Sequence, residues 1–327
     1  MLRLGTIGTS VITVQFTTEA LRSGLYEWTA LYSRKIETAT TCAGENDPKI
    51  FTDFQEFANS DLFDVAYVAS PNVFHKEQIQ ALLEGGKDVI CEKPIVQSKK
   101  DLEDLYALAE EKGLRLVEGA RHIYEKNFRK VKDFLNKSVE ENKVTGAKFS
   151  YCQYSSKQDA YLRGETPNIF NPKIRGGALN DLGIYLVYAA VSFFGKPETA
   201  HYCPQLLRTG IDGSGMISLG YGDYSVYLHP SKTYASRSRA EVYLGKETLR
   251  LNRVEMIEDY VTLSGEKIEA LEGFEEIDDR PLKWEVVDFH EIFTKKQETK
   301  DQYEEVKELA LDVVEVMDEL RTYVKYD

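Results

Sequence analysis

The sequence predicts an α/β protein in two domains. Residues 1–120 read as a doubly wound parallel sheet, and residues 121–327 as an α+β domain with a broad, mostly antiparallel sheet. Three observations predict this. Short apolar strands alternate with helical patterns through the first third of the chain, the mark of parallel βαβ units. After Glu118 the pattern changes to long, tyrosine-rich alternating segments. The tripeptide Glu92-Lys93-Pro94 ends the strand-like run Lys87–Cys91, where an open parallel sheet faces its ligand crevice.

Each element has a local reason. Leu2–Ile7 is an apolar strand. Val11–Arg22 is helical and ends at Ser23-Gly24, where glycine suits a left-handed C-cap. Tyr26–Tyr32 is a second strand. Lys35–Ala43 is helical until Asn46-Asp47-Pro48 breaks it. Residues 53–60 form a short helix. Val65–Ala69 is a buried strand stopped by Ser70-Pro71. Val73–Glu84 is helical and ends at Gly85-Gly86. Asp88–Cys91 is a strand. Ser98 caps a helix running to Lys112, and Leu114–Val117 is one more strand. Beyond it, a helix over about Phe128–Val139 precedes strands at Lys148–Tyr154, Gly215–Leu219, Ser225–Leu228, Ala240–Leu244 and Thr248–Asn252. Leu179–Phe194 and Tyr303–Tyr323 read as helices.

Composition narrows the function. A net charge of −13 with no lysine- or arginine-rich block argues against a nucleic-acid or anionic-membrane surface. Four separated cysteines, with no C-x-x-C pair, suggest neither a zinc site nor a disulfide framework. The five histidines lack H-x-H and H-E-x-x-H spacing, so no metal is expected. The first strand begins at once, with no signal peptide before it, and the apolar run Ile184–Phe194 is short for a bilayer. The expectation is a soluble cytoplasmic protein.

The first strand and helix are joined by Gly5-Thr6-Ile7-Gly8-Thr9-Ser10. Glycine at position 8 permits a tight turn, and amides at the following helix start can bind a pyrophosphate. In a G-x-G-x-x-G register the three positions are Gly8, Ser10 and Thr13, so only the first glycine is present. At the end of the second strand stand Ser33, Arg34 and Lys35. An NAD site usually has an acidic residue here for the ribose 2′-hydroxyl. Two cations and a hydroxyl suit a 2′-phosphate instead, so NADP(H) is favoured over NAD(H). A solvated basic turn is the plain alternative.

Three stretches resemble the Gfo/Idh/MocA oxidoreductases, which include glucose–fructose oxidoreductase and inositol dehydrogenase. Ser70-Pro71-Asn72-Val73-Phe74-His75 is similar to that family's T-P-N-x-x-H. The run Gly86–Pro94 is similar to its G-K-H-V-x-x-E-K-P, and Gly176–Tyr185 to its G-G-A-L-x-D-x-G-x-H/Y. Two departures stand out: the missing second glycine of the phosphate loop, and Ile123 where relatives often carry arginine.

The resemblance implies an NAD(P)-dependent dehydrogenase or reductase of a sugar, polyol or related compound. It places Ser70, Pro71, Asn72, His75, Glu92 and Lys93 among the cofactor contacts, with Gly8, Thr9, Ser10, Ser33, Arg34 and Lys35. For His75, touching the cofactor and capping its helix stay equally open. Lys93 would bind the nicotinamide ribose and the reacting oxygen. Tyr185 would exchange the proton, and Asp181 would orient substrate or assist the proton transfer. Four residues apart on a helix, Asp181 and Tyr185 share a face. A tyrosine of pKa about 10 is a poor base near neutrality unless a cation stabilises its phenolate, and Lys93 is the candidate. Tyr154, Arg163 and Asn171 lie on segments that could line the substrate pocket or serve packing alone. A non-catalytic sensor of the same fold is the alternative, and a glycosidase cycling a bound NAD a more distant one. A second copy covering the broad sheet would make a homodimer or homotetramer.

Overall fold

The computed structural model describes residues 1–276, 280, 282–324 and 326. The chain forms two units, one of Met1–Arg121 with Asp278–Leu311, the other of His122–Ile277 with Asp312–Asp327. Sequence order alone assigns residues 121–327 to one domain, whereas in the structure Asp278–Leu311 groups with the first unit.

The first unit is a Rossmann sheet of six parallel strands in the order β3-β2-β1-β4-β5-β6. The strands are β1 (Leu2–Ile7), β2 (Tyr26–Tyr32), β3 (Lys49–Phe51), β4 (Val65–Val68), β5 (Asp88–Glu92) and β6 (Leu116–Gly119). All four residues of β4 are buried, as expected for a parallel strand covered on both faces. The helices are α1 (Val11–Arg22), α2 (Ile36–Ala43), α3 (Phe54–Ala58), α4 (His75–Glu84) and α5 (Lys99–Glu111). In α5 the buried residues Leu102, Leu105, Tyr106 and Ala109 recur at helical spacing, and Ser98 accepts from the Asp101 amide as N-cap. A 3-10 turn, Asn72–Phe74, replaces the start of the helix expected from Val73. β3 is absent from the sequence reading, because three residues are too few to show a period.

The second unit has a seven-stranded mixed sheet. It contains β7 (Gly146–Cys152), β8 (Thr199–Leu206), β9 (Asp212–Tyr221), β10 (Tyr224–Ser231), β11 (Ala240–Leu244), β12 (Glu247–Leu251) and β13 (Tyr260–Thr262), in the order β13-β12-β11-β7-β10-β9-β8. Among the described residues of this sheet, only the β7–β10 pair is parallel. Its helices are α6 (Lys126–Glu140), α7 (Gln158–Leu162) and α8 (Ile184–Phe194). Every residue of α8 except Tyr185 is buried. Phe193 of α8 meets Phe128 of α6 at 4.8 Å and Phe149 of β7 at 6.1 Å, so the apolar helix lies between a helix and the sheet. The stretch Pro172–Phe194 is long and apolar enough to cross a membrane, but 89% of its most apolar window is buried inside the protein.

The last helices are α9 (Lys283–Thr294) and α10 (Lys300–Arg321). α9 packs on α1, and the Tyr26 hydroxyl of β2 donates to the Val286 carbonyl of α9 at 3.0 Å.

Candidate functional site

The crevice at the C-terminal edge of the first sheet follows from its strand order. β1 and β4 are neighbours whose following helices lie on opposite faces, so the chain parts there. A cavity of about 530 Å³ opens at this point. Ile7, Gly8, Thr9 and Ser10 form one wall, Ser33, Arg34, Lys35 and Thr38 a second, and Ser70, Pro71, Phe74 and Gln78 a third. Gly8 has φ +101, and a Cβ there would lie 2.6 Å from the Ala69 carbonyl oxygen. The turn can therefore hold only glycine without strain, which keeps the start of α1 close to the β4 edge. Ser10 stands at the N-cap position of α1, and its hydroxyl lies 3.2 Å from that of Thr13 instead of bonding a backbone amide. Two hydroxyl groups thus stand where the fingerprint has its later glycines.

The basic wall is organised rather than loose. The Ser33 and Thr38 hydroxyls are 3.0 Å apart, and Thr38 also donates to the Lys35 carbonyl at 2.9 Å. The Arg34 guanidinium lies 5.9 Å from the centre of the Phe74 ring. Opposite, the Ser70 hydroxyl donates to Gln78 Oε1 at 2.6 Å. Among the described residues, no Asp or Glu lines this cavity.

Behind the crevice lies the end of β5. Its half-buried Glu92 accepts a 2.6 Å hydrogen bond from the buried Tyr67 hydroxyl, and Tyr67 stacks on Phe16 with ring centres 3.9 Å apart. Burial pushes the Glu92 carboxyl up, while the adjacent Lys93 ammonium pulls it down. The Lys93–Pro94 peptide is cis. His75 is fully buried, with Nδ1 2.9 Å from the Pro94 carbonyl oxygen and Nε2 2.9 Å from that of Ser70. Burial lowers its pKa and these carbonyls oppose that. The ring therefore ties the loop after β4 to the loop after β5. Ile95 is held next to it, its amide donating to Glu118 Oε1 at 2.9 Å.

The second unit holds the other expected residues. Leu179–Gly183 is a π-helical turn that runs into α8, so Asp181 and Tyr185 belong to one continuous helical segment that begins with a wide turn. A buried carboxylate secures this start. Asp212 Oδ2 accepts from the Leu179 amide at 2.6 Å and from the Tyr202 hydroxyl at 2.8 Å. Gly177, at φ +95, lets the chain pass Asp212, because any Cβ would overlap the Asp212 carboxylate. Asp181 is ion-paired with Lys232, whose side chain is 9% exposed. Tyr185 packs between the His122 ring at 5.0 Å and the Tyr151 ring at 5.7 Å.

The structure gathers Gly8, Thr9, Ser10, Ser33, Arg34, Lys35, Ser70 and Pro71 round one cavity. Asn72, His75, Glu92 and Lys93 do not line it. Asn72 starts the 3-10 turn, and the other three lie at or beneath the β5 end. Tyr154, Arg163 and Asn171 each make local polar contacts, to Asp159 at 2.5 Å, to Glu165 at 3.1 Å and to the Lys173 amide at 3.0 Å. Tyr161 packs under the Arg208 guanidinium at 4.3 Å. Sequence reasoning missed Thr38, Phe74 and Gln78 in the cavity, and Lys232 beside Asp181. Phe74 carried a signal, being an apolar residue inside the S-P-N-V-F-H stretch that stays 40% exposed.

Comparison with known proteins agrees with this geometry. Residues 2–120 match the family model for GFO_IDH_MocA, the oxidoreductase family with an NAD-binding Rossmann fold. The chain is 38% identical to a scyllo-inositol 2-dehydrogenase (NADP(+)) of Bacillus subtilis (strain 168) over 243 residues, which is 74% of this chain and 73% of that one. It is 27% identical to trans-1,2-dihydrobenzene-1,2-diol dehydrogenase of Mus musculus, over 67% of this chain and 65% of that one. A crystal structure of a 3-ketoreductase from Actinomadura kijaniata, in complex with NADP and TDP-benzene, shares the fold with a TM-score of 0.81 at 24% identity, covering 98% of this chain and 97% of that one. The glycine turn at the head of α1, the crevice between β1 and β4 and the extent of the first relative's identity lead to one conclusion: this chain belongs to the Gfo/Idh/MocA family of NAD(P)-binding oxidoreductases.

Proposed function

We propose that the protein is an NADP(H)-preferring dehydrogenase or reductase acting on a CH–OH or C=O carbon of a sugar, cyclic polyol or related compound. The observation that carries the cofactor preference is the basic wall of the cavity, with Ser33, Arg34, Lys35 and Thr38 at the β2 end and no lining carboxylate among the described residues. A 2′-phosphate needs such donors, whereas a free 2′-hydroxyl is normally met by an acidic residue. The substrate class is supported by the B. subtilis relative, named for an inositol.

The bound nicotinamide supplies the hydride donor or acceptor. The chain supplies the rest. Amides at the start of α1, with Thr9 and Ser10, hold the pyrophosphate. Arg34, Lys35 and Ser33 hold the 2′-phosphate. Ser70, Pro71 and Asn72 border the ribose on the nicotinamide side. Lys93 donates to that ribose and to the reacting oxygen, with Glu92 beside it as counter-charge. His75 keeps the loops that carry Ser70 and Lys93 in register. Tyr185 gives or takes the proton, and Asp181 accepts from a substrate hydroxyl. A second copy of the chain covering the outer face of the seven-stranded sheet is supported by Met216 and Tyr227, which stay 46% and 49% exposed on β9 and β10.

The test is nicotinamide absorbance with purified protein, NADP(H) or NAD(H), and a panel of cyclic polyols, hexoses and dicarbonyls. Arg34→Ala should weaken NADPH binding by about tenfold or more, as expected for a lost charge-assisted contact, and leave NADH binding nearly unchanged. Equal loss for both cofactors would rule out the 2′-phosphate role. NADPH binding without turnover of any substrate would favour the sensor reading.

A further inference from the structure

Lys232 follows directly on β10 and reaches the Gly176–Tyr185 segment at Asp181. Its amide donates to the Gly213 carbonyl at 2.8 Å, and its own carbonyl accepts from the Ser155 amide at 2.9 Å. These bonds fix its backbone to the start of β9 on one side and to the chain leaving β7 on the other. Its side chain is 9% exposed, and its ammonium donates to Asp181 Oδ2. The Asp181 side chain is 30% exposed. One end of the pair is therefore locked in the fold, and the other reaches solvent.

A buried ion pair is a weak way to stabilise a protein, because desolvation offsets most of the attraction. An apolar side chain of similar volume at position 232 would serve packing as well. What a fixed ammonium adds is direction. It holds one carboxylate oxygen, so that the group cannot rotate freely and presents its other oxygen in a set direction. A hydroxyl-rich ring needs an acceptor of this kind if one of its hydroxyls is to be held in a defined position.

We propose that Lys232 is a positioning residue for substrate: it orients Asp181 as a fixed hydrogen-bond acceptor for a hydroxyl of a polyol ring. This rests on the reading of the protein as a polyol or sugar oxidoreductase. Lys232 acts through Asp181, and two consequences follow. Its loss raises KM for the polyol while cofactor affinity stays the same. Its loss also has little further effect once Asp181 no longer carries a charge, because the two side chains act as one unit.

The experiment is a double-mutant cycle with scyllo-inositol and NADP+, followed by NADPH formation, on the wild type, Lys232→Met, Asp181→Asn and the double variant. NADPH affinity and the melting curve are measured on each. Lys232→Met is expected to raise KM by about ten- to a hundredfold, with NADPH affinity unchanged. The double variant should lie within about twofold of Asp181→Asn. Lys232→Arg should recover most of the loss, since it restores a cationic donor. If Lys232→Met does not fold, Lys232→Gln, which keeps a donor without charge, takes its place in the cycle. Losses that multiply in the double variant, or a wild-type KM in Lys232→Met, would overturn the inference and leave the oxidoreductase reading intact. No turnover by the wild type with scyllo-inositol or any other polyol in the panel would overturn that reading, and this inference with it.

Discussion

Asp212 shows how one buried side chain can govern the segment that carries Asp181 and Tyr185. It has no solvent exposure, and burial pushes its carboxyl up to about 6, although the Tyr202 hydroxyl and the Leu179 amide pull it down. In the unfolded chain the group ionises near 3.9. Between these values the folded protein holds the extra proton, so stability falls as pH rises from about 4 to about 6 and then levels off. A displacement of this size corresponds to about 3 kcal/mol. Asp212→Asn keeps an acceptor for Leu179 and removes the titration. Urea unfolding at pH 4 and pH 7 should therefore show the variant gaining about 3 kcal/mol on the wild type as pH rises. Parallel behaviour of the two proteins would mean that Asp212 ionises as an exposed carboxyl does. Nothing in the sequence marks Asp212. It sits between Ile211 and Gly213, 33 residues from the amide it holds.

Among the elements, the C-terminal end of α9 is held by the side chain of Arg115, the residue just before β6. Arg115 donates to the Ile292 carbonyl at 2.6 Å, to Thr299 Oγ1 at 2.8 Å and to the Lys296 carbonyl, and lies 4.6 Å above the Tyr303 ring. The carbonyls at a helix end lack partners of their own, and Arg115 satisfies them here. Arg115→Met should destabilise the first unit by about 2–4 kcal/mol, because polar groups that it satisfied are left buried. Hydrogen exchange should then quicken in α9 and the start of α10 before it quickens in β1. Elements with clean periods were readable in advance: α1, β2 and α5 match their expected limits within about a residue at each end. α9 was missed because Glu285 and Asp288 lie on its buried face and break the apolar stripe. β8 was missed because it pairs only with β9 and carries Pro204, which weakens its strand pattern. The π turn at Leu179–Gly183 has no composition that separates it from the start of an α-helix.

At the scale of the whole molecule, the first unit is completed by a segment from far along the chain. The Tyr26 hydroxyl donates to Val286, the Tyr26 ring meets that of His290 at 5.6 Å, and Arg115 finds its partners in residues 292–299. A fragment of residues 1–121 should therefore melt well below the intact protein and bind NADPH poorly. The same fragment joined by a flexible linker to residues 280–311 should recover both properties. Equal melting and equal NADPH binding by the two fragments would show that α9 is dispensable to the cofactor unit.

By itself, the sequence determined what is local. Apolar period sets the parallel strands and the amphipathic helices, Ser98 starts α5, and Gly8 admits the turn at the cavity. The run of Ser33, Arg34 and Lys35 sets a hydroxyl and two cations at the end of β2. These features depend on a few consecutive residues, so spacing reveals them. Only the tertiary structure decided that Lys232 meets Asp181 across 51 residues, that His75 bridges the Ser70 and Pro94 carbonyls, and that Arg115 holds Ile292 across 177 residues. Each is a polar contact made only once separate segments have packed, and no periodicity in the chain encodes it.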